Sequence, residues 1–269
     1  MPYYIRAPKL NHEICQMKIL PLFSILFAAF SCTQQTKNES ISPDPSAHIQ
    51  DSQIKSILKK AIDKAGGYEV WSNIQTIKYT KHSVLLLEDS TIESDVIQLH
   101  EYSMQPTFSA RVTWSVGEDQ HRIEYDSEGG KKYMNDTLTD SDPSQAVMSA
   151  LYVLGMPFKL LDAGTNLSFD GSVTIGDKSA DVIKATYNPA ENDNHSTQDE
   201  WYYYFDVNDG DFLGAMVYHA PTYAYIDNLA FDETTPVKFH AHRRSYRSDS
   251  LRNLQFLRAE FWYGNYEVN

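Results

Sequence analysis

The sequence predicts a mainly β fold of the α+β kind, built on an antiparallel meander. Two observations carry it. Ten segments rich in β-branched and aromatic residues (74–87, 95–104, 108–116, 121–125, 167–175, 181–187, 200–207, 212–219, 237–246 and 255–263) follow one another along the chain. Turn residues such as Glu128-Gly129-Gly130, Gly176-Asp177 and Asn208-Asp209-Gly210 separate several of them. The second observation is that only two stretches carry helical spacing, so successive strands are joined by hairpins rather than by crossover helices.

The first helix is written by Ile54, Ile57, Leu58, Ala61, Ile62 and Ala65, which recur at three- and four-residue intervals opposite Lys55, Lys59, Lys60 and Asp63. Asp51 or Ser52 is placed to cap its start, and Gly66-Gly67 ends it. The second follows Asp142-Pro143, with Ala146, Val147, Ala150, Leu151 and Leu154 as its apolar face and Gly155 and Pro157 as its stop. A short apolar connector, 156–162, follows it. No repeat or second linker interrupts the chain, so residues 48–269 read as one domain.

Composition excludes several functions. The chain has 269 residues with 36 acidic and 23 basic side chains, a net charge of -13 that is unsuited to gripping a nucleic-acid backbone. Two cysteines make neither a disulfide framework nor an all-cysteine zinc site. The apolar run from Ile19 to Phe30 is too short to span a membrane, which needs ~20 residues, but has the length of a signal-peptide core behind Lys18. Ala29-Phe30-Ser31-Cys32 then resembles the lipobox of bacterial lipoproteins, which implies lipidation at Cys32.

The expected order is an upstream extension from a misplaced start codon over 1–16, a lipoprotein signal peptide over 17–31, and a flexible tether over 32–47, polar and Pro-containing, before the folded domain. Such processing removes three basic residues and one acidic residue, leaving a charge of -15. The expected location is the outer membrane, through an N-terminal lipid anchor.

Ala65-Gly66-Gly67, Trp71 and Ile74-Gln75-Thr76-Ile77-Lys78-Tyr79 resemble the opening of LolA-like proteins of Bacteroidota. The segment from Leu151 to Gly164, containing Pro157-Phe158-Lys159-Leu160-Leu161-Asp162, and the strand from Asp199 to Asp206 are similar to landmarks of a lipoprotein family of unknown function in that group. This resemblance implies a single strongly curved antiparallel sheet, a half-barrel, with helices on its concave face around an apolar cavity. It also implies a lipid, a lipoprotein acyl chain or another amphiphile as ligand. Trp71, Trp114, Trp201, Tyr203 and Phe205 are the expected lining, the last three sharing one side of their strand while Tyr202 and Tyr204 share the other.

Signatures of chemistry are weak. Gly171 to Ser179 falls short of a phosphate-binding loop, because Asp177 precedes Lys178 and no helix follows. His100-Glu101 lacks a second histidine where Met104 stands, and no Gly-x-Ser-x-Gly is present. His240-x-His242 is the best metal candidate, since strand alternation aligns both rings on one face for a third ligand such as His219, which would make a metal-dependent hydrolase. Asp206 to Asp211 resembles half a calcium loop and reads as a hairpin tip. The polar stretch from Asn188 to Gln198 is a long hairpin loop placed to touch a partner, and basic residues Lys238, Arg243, Arg244, Arg247, Arg252 and Arg258 read as a solvated face, with contact to anionic headgroups or an acidic partner as the alternative. The leading expectation is therefore a non-catalytic, cofactor-free amphiphile-binding lipoprotein. The alternative is an envelope interaction protein with a filled sheet that binds a protein or glycan.

Overall fold

The computed structural model describes residues 44–188 and 199–269. The expected leader, Cys32 and nearly all of the tether lie outside these residues, as do 189–198 of the polar stretch. Helix α1 (Ser52–Lys64) and the short α2 (Tyr68–Ser72) precede a meander of β1 (Thr76–Leu86), β2 (Ile92–Ser103), β3 (Ser109–Val116), β4 (Asp119–Asp126), β5 (Gly129–Met134) and β6 (Thr137–Leu138). Helix α3 (Ser144–Leu154) and a 3-10 turn (Phe158–Leu161) carry the chain to the opposite edge. A second meander follows: β7 (Thr165–Ile175), β8 (Lys178–Tyr187), β9 (Glu200–Asp206), β10 (Phe212–His219), β11 (Thr222–Phe231), β12 (His240–Ser248) and β13 (Leu254–Val268).

The last strand returns to the first. β13 pairs antiparallel with β1 from Ile77↔Val268 to Leu85↔Ala259, with one irregularity at Lys78/Thr80. One thirteen-stranded sheet results, in the order β6-β5-β4-β3-β2-β1-β13-β12-β11-β10-β9-β8-β7, with β6 and β7 as edges. It is the open half-barrel expected, with its helices on one face.

Three strands go beyond the sequence reading. β5 opens on Gly129-Gly130-Lys131-Lys132, which carries no β-branched residue, and the two-residue β6 merely continues it. β11 has Asp227-Asn228 in its middle, where isolated propensity is poor, but pairs on both sides with β10 and β12.

The main core lies between this sheet and the helices. Ile54, Leu58, Ala61 and Ile62 of α1 and Phe158, Leu160 and Leu161 of the 3-10 turn pack with Ile77, Val112, Ile183, Ala215 and Phe239. Each fully buried aliphatic side chain contributes about 1.5–3 kcal/mol. A smaller cluster of Ala180, Val182, Tyr204, Met216 and Tyr225 lies on the outer face, with Arg252 5.8 Å from the Tyr204 ring. The aromatic strand β9 is therefore buried on both sides, Tyr203 and Phe205 inward and Tyr204 outward.

Asp51 caps α1, its Oδ1 accepting from the backbone N–H of Gln53 (2.7 Å) and Ile54 (3.2 Å). The far end of α1 is tied to the β9–β10 hairpin. Lys60 Nζ donates to the Val207 carbonyl (2.7 Å), and Lys64 pairs with Asp209 (3.0 Å). Lys178 and Lys238 take Asp206 and Asp211, each at 3.2 Å, so the acids of the calcium-like segment are held by lysines. The Asp211 N–H, with Lys64 beside it, lowers the Asp209 pKa to about 2.

Gly66 makes this junction possible. Its φ of +112° is a glycine conformation, and a Cβ there would stand 2.5 Å from the Pro236 carbonyl oxygen, while Lys238 N–H bonds the Ala65 carbonyl at 2.8 Å. Gly66→Ala is expected to lower the unfolding free energy by about 1–3 kcal/mol, read as a reduced urea midpoint with unchanged slope.

Candidate functional site: a cavity beneath the second helix

Helix α3 begins where Asp142 Oδ1 accepts from the Ser144 N–H (2.9 Å) and hydroxyl (2.6 Å). The Ser144 hydroxyl in turn receives the Gly130 N–H at 2.8 Å, fastening the helix to β5. Val147, Leu151, Tyr152 and Leu154 of α3 are buried in the core. The adjacent stripe of Ala146, Ser149, Ala150 and Val153 is too short to reach the sheet, and a cavity remains.

The cavity has two adjoining lobes. One, of about 210 Å³, lies among Tyr152, Met156, Trp201, Tyr203, Phe212 and Ala215, with Asp199 and His219 also on its wall. The other, of about 330 Å³, is lined by Tyr79, Lys81, Ile226, Ser245, Phe261 and Tyr263. Ser149, Val153, Trp201 and Arg243 belong to both. The larger lobe alone has the volume of a small ligand pocket, ~300 Å³ or more, with the mostly apolar walls and few polar groups such sites show.

Ring stacking and hydrogen bonds brace one wall. Trp201 stacks on Tyr203 with centroids 5.7 Å apart, and a chain of phenols joins Tyr203 to Tyr187 (3.0 Å) and Tyr187 to Tyr152 (2.5 Å). Burial raises the pKa of all three, Tyr187 to about 12, so they remain protonated hydrogen-bonding groups.

Of the residues expected to line a cavity, Trp201 and Tyr203 lie in its wall. Phe205 shares their face but sits beneath α1 against Phe212. Trp71 stacks flat on Phe158, centroids 5.1 Å apart, and a Cβ on Gly155 would come within 2.9 Å of its indole, so it plugs the core outside both lobes. Trp114 is two strands from Lys81, stacked on His121 at 5.0 Å, and also lies outside them.

Arg243 and Lys81 were not singled out as lining by sequence. Only the fold distinguishes Arg243 from its basic neighbours, which disperse. Arg244 meets Glu260 (2.9 Å), Arg258 meets Glu93 (2.5 Å), and Arg247 donates to Thr222 (3.0 Å).

The expected histidine pair is corrected by the structure. β12 pairs with β11 through Ala230↔His242 and Phe231↔His240, leaving Ala241 as an extra residue that breaks the alternation. His240 turns into the core beside Phe231 and Tyr263, whereas His242 turns outward onto Trp262 and bonds Glu260 at 2.6 Å. The two rings are on opposite faces. Among the described residues no group of three or more metal-ligating side chains is present.

His240 is fully buried, and burial, then the Arg243 charge, pushes its pKa well below the ordinary value, against the Val153 carbonyl. His100, stacked on Tyr79 at 4.6 Å and bonded to the Tyr102 hydroxyl at 2.9 Å, is lowered from 6.5 to about 3 by burial and then by Lys81. Below pH 6.5 the unfolded chain takes a proton on His100 that the folded chain refuses until about pH 3. Stability is therefore full above pH 6.5 and falls towards pH 3. In His100→Asn, which retains an acceptor near Tyr102, the loss of urea stability between pH 7 and pH 5 is expected to be smaller than in the wild type.

Comparison with known proteins agrees with this architecture. A LolA superfamily protein from Nitrosomonas europaea superposes with a TM-score of 0.51 at 10% identity, over 80% of this chain and 93% of that one. A domain named for outer-membrane lipoprotein sorting, from Vibrio parahaemolyticus, gives 0.50 at 7% identity, over 80% and 91%. Identities this low establish the LolA-like fold alone. No curated protein matches the chain. Residues 45–225 match the model of a family described as one of unknown function, DUF6503.

Proposed function

The chain belongs to the family DUF6503, and for this member we propose a membrane-anchored envelope lipoprotein that holds the apolar part of an amphiphile in the cavity beneath α3, without chemistry. The observation that carries the reading is the cavity itself. On the concave face of a LolA-like sheet, α3 leaves two lobes walled by Trp201, Tyr203, Tyr152, Met156, Phe261 and Tyr263. Each methylene transferred there from water contributes ~0.8 kcal/mol, so partial burial of an acyl chain binds usefully with no reactive group. The separation of His240 from His242 supports a container over a metal hydrolase.

The anchor is the second part of the proposal. Lipidation at Cys32, with residues 32–47 as tether, holds the domain at the outer membrane, where amphiphiles are within reach. Cys32→Ser is expected to move the protein from the membrane fraction to the soluble fraction. Recovery in the membrane unchanged would refute the anchor.

Mass spectrometry of the purified protein is expected to find a co-purifying amphiphile near one equivalent. Ser149 is exposed at the helix surface and lines both lobes, so Ser149→Trp occupies the cavity without disturbing the core. We expect it to weaken a fluorescent acyl probe by about tenfold or more at unchanged urea midpoint. Probe binding equal in variant and wild type would place the ligand elsewhere. Absence of any amphiphile or probe binding would end the reading.

A further inference from the structure

We propose that the amphiphile is anionic, its oxyanion head, a carboxylate or a phosphate ester, bound by Arg243 and Lys81 while its chain lies along the aromatic walls. The inference rests on the cavity reading above and names the class of ligand.

Arg243 is the unusual group. It is 7% exposed and stands where the two lobes meet. Its Nε donates to Asn228 Oδ1 at 3.0 Å. Among the described residues, neither Nη has a protein acceptor, no carboxylate lies within 4.0 Å, and no aromatic ring lies beneath the guanidinium. Arg122, Arg244, Arg247, Arg252 and Arg258 each have an acid, an oxygen or a ring as partner, and Arg111 is exposed to solvent. Lys81 enters the larger lobe from β1, its Nζ 4.9 Å from the Phe261 centroid, also without a carboxylate partner among the described residues.

No acid lines that lobe. The acid of the smaller lobe, Asp199, is already engaged by His219 at 2.5 Å. A protein of net charge -13 thus keeps, at one small cavity, two cations with no counter-charge among the described residues. Holding a cation at a largely buried place without a counter-charge is unfavourable. A neutral lipid would enclose Arg243 further and leave that cost in place. An oxyanion removes it, because the two free Nη groups present the planar fork that carboxylate and phosphate accept, and Lys81 adds a second charge.

The test uses the full protein and two probes with the same fluorescent chain, cis-parinaric acid and its methyl ester. The acid is expected to bind the wild type about tenfold or more tightly than the ester, with the difference lost in Arg243→Gln and reduced in Lys81→Gln. Displacement of the acid by dodecyl phosphate, dodecanol and inorganic phosphate, measured on the wild type, needs no variant to fold. Dodecyl phosphate is expected to compete and the other two to fail at equal concentration. Equal binding of acid and ester, or equal displacement by dodecyl phosphate and dodecanol, would overturn the anionic class and leave the cavity reading standing. Binding of neither probe would overturn both, and displacement by inorganic phosphate as effective as by dodecyl phosphate would make this a site for free anions.

Discussion

The pairing of β13 with β1 is the constraint on which the rest depends. Each meander by itself is a chain of local hairpins, and nothing local tells the second where to lie. The ladder from Ile77↔Val268 to Leu85↔Ala259 joins them, and Asn269 closes it by exchanging backbone hydrogen bonds with Thr76 (3.0 and 3.1 Å). A sheet of thirteen strands must twist and curl, and this one acquires a concave side wide enough to need covering. That need explains why the helices lie on one face. It also brings Lys81 and Tyr79 of the first meander to the same cavity wall as Ser245 and Arg243 of the second.

The two principal helices do different things there. α1 buries Ile54, Leu58 and Ile62 against the sheet, with the Lys64–aspartate contacts at its end fixing its position. α3 divides its inward side between large residues, which anchor it, and the small Ala146, Ser149 and Ala150, which do not reach the aromatic surface of β9 to β13. The shortfall is a matter of side-chain size, because a helix of the same length with leucines on that stripe would narrow both lobes.

Two kinds of buried polar group matter most on this face. Tyr152, Tyr187 and Tyr203 satisfy one another, as Tyr79, Tyr102 and His100 do, and their neutral forms are the ones burial favours. Arg243 cannot become neutral and has one side-chain acceptor, Asn228. The first kind is architecture with its bonds made inside the protein; the second is a charge directed at a space.

By itself the sequence determined the class of fold, both principal helices with their ends, most strands and the tips of the hairpins, because these are set by periodicities and turn residues within a dozen positions of one another. It also placed Trp201 and Tyr203 on one face of their strand. Only the tertiary structure decided the strands whose composition is poor, such as β5 and β11, because they are held by neighbours on either side. The same holds for the faces of His240 and His242, since the extra residue at Ala241 is a property of the pairing with β11 and not of the string His-Ala-His. Arg243 and Arg244 are adjacent and chemically alike in sequence, yet the sheet turns one to Glu260 and the other to the cavity. Local spacing writes which side of a strand a residue occupies relative to its neighbours, whereas what that side faces is fixed by the pairing and packing of whole strands and helices against one another.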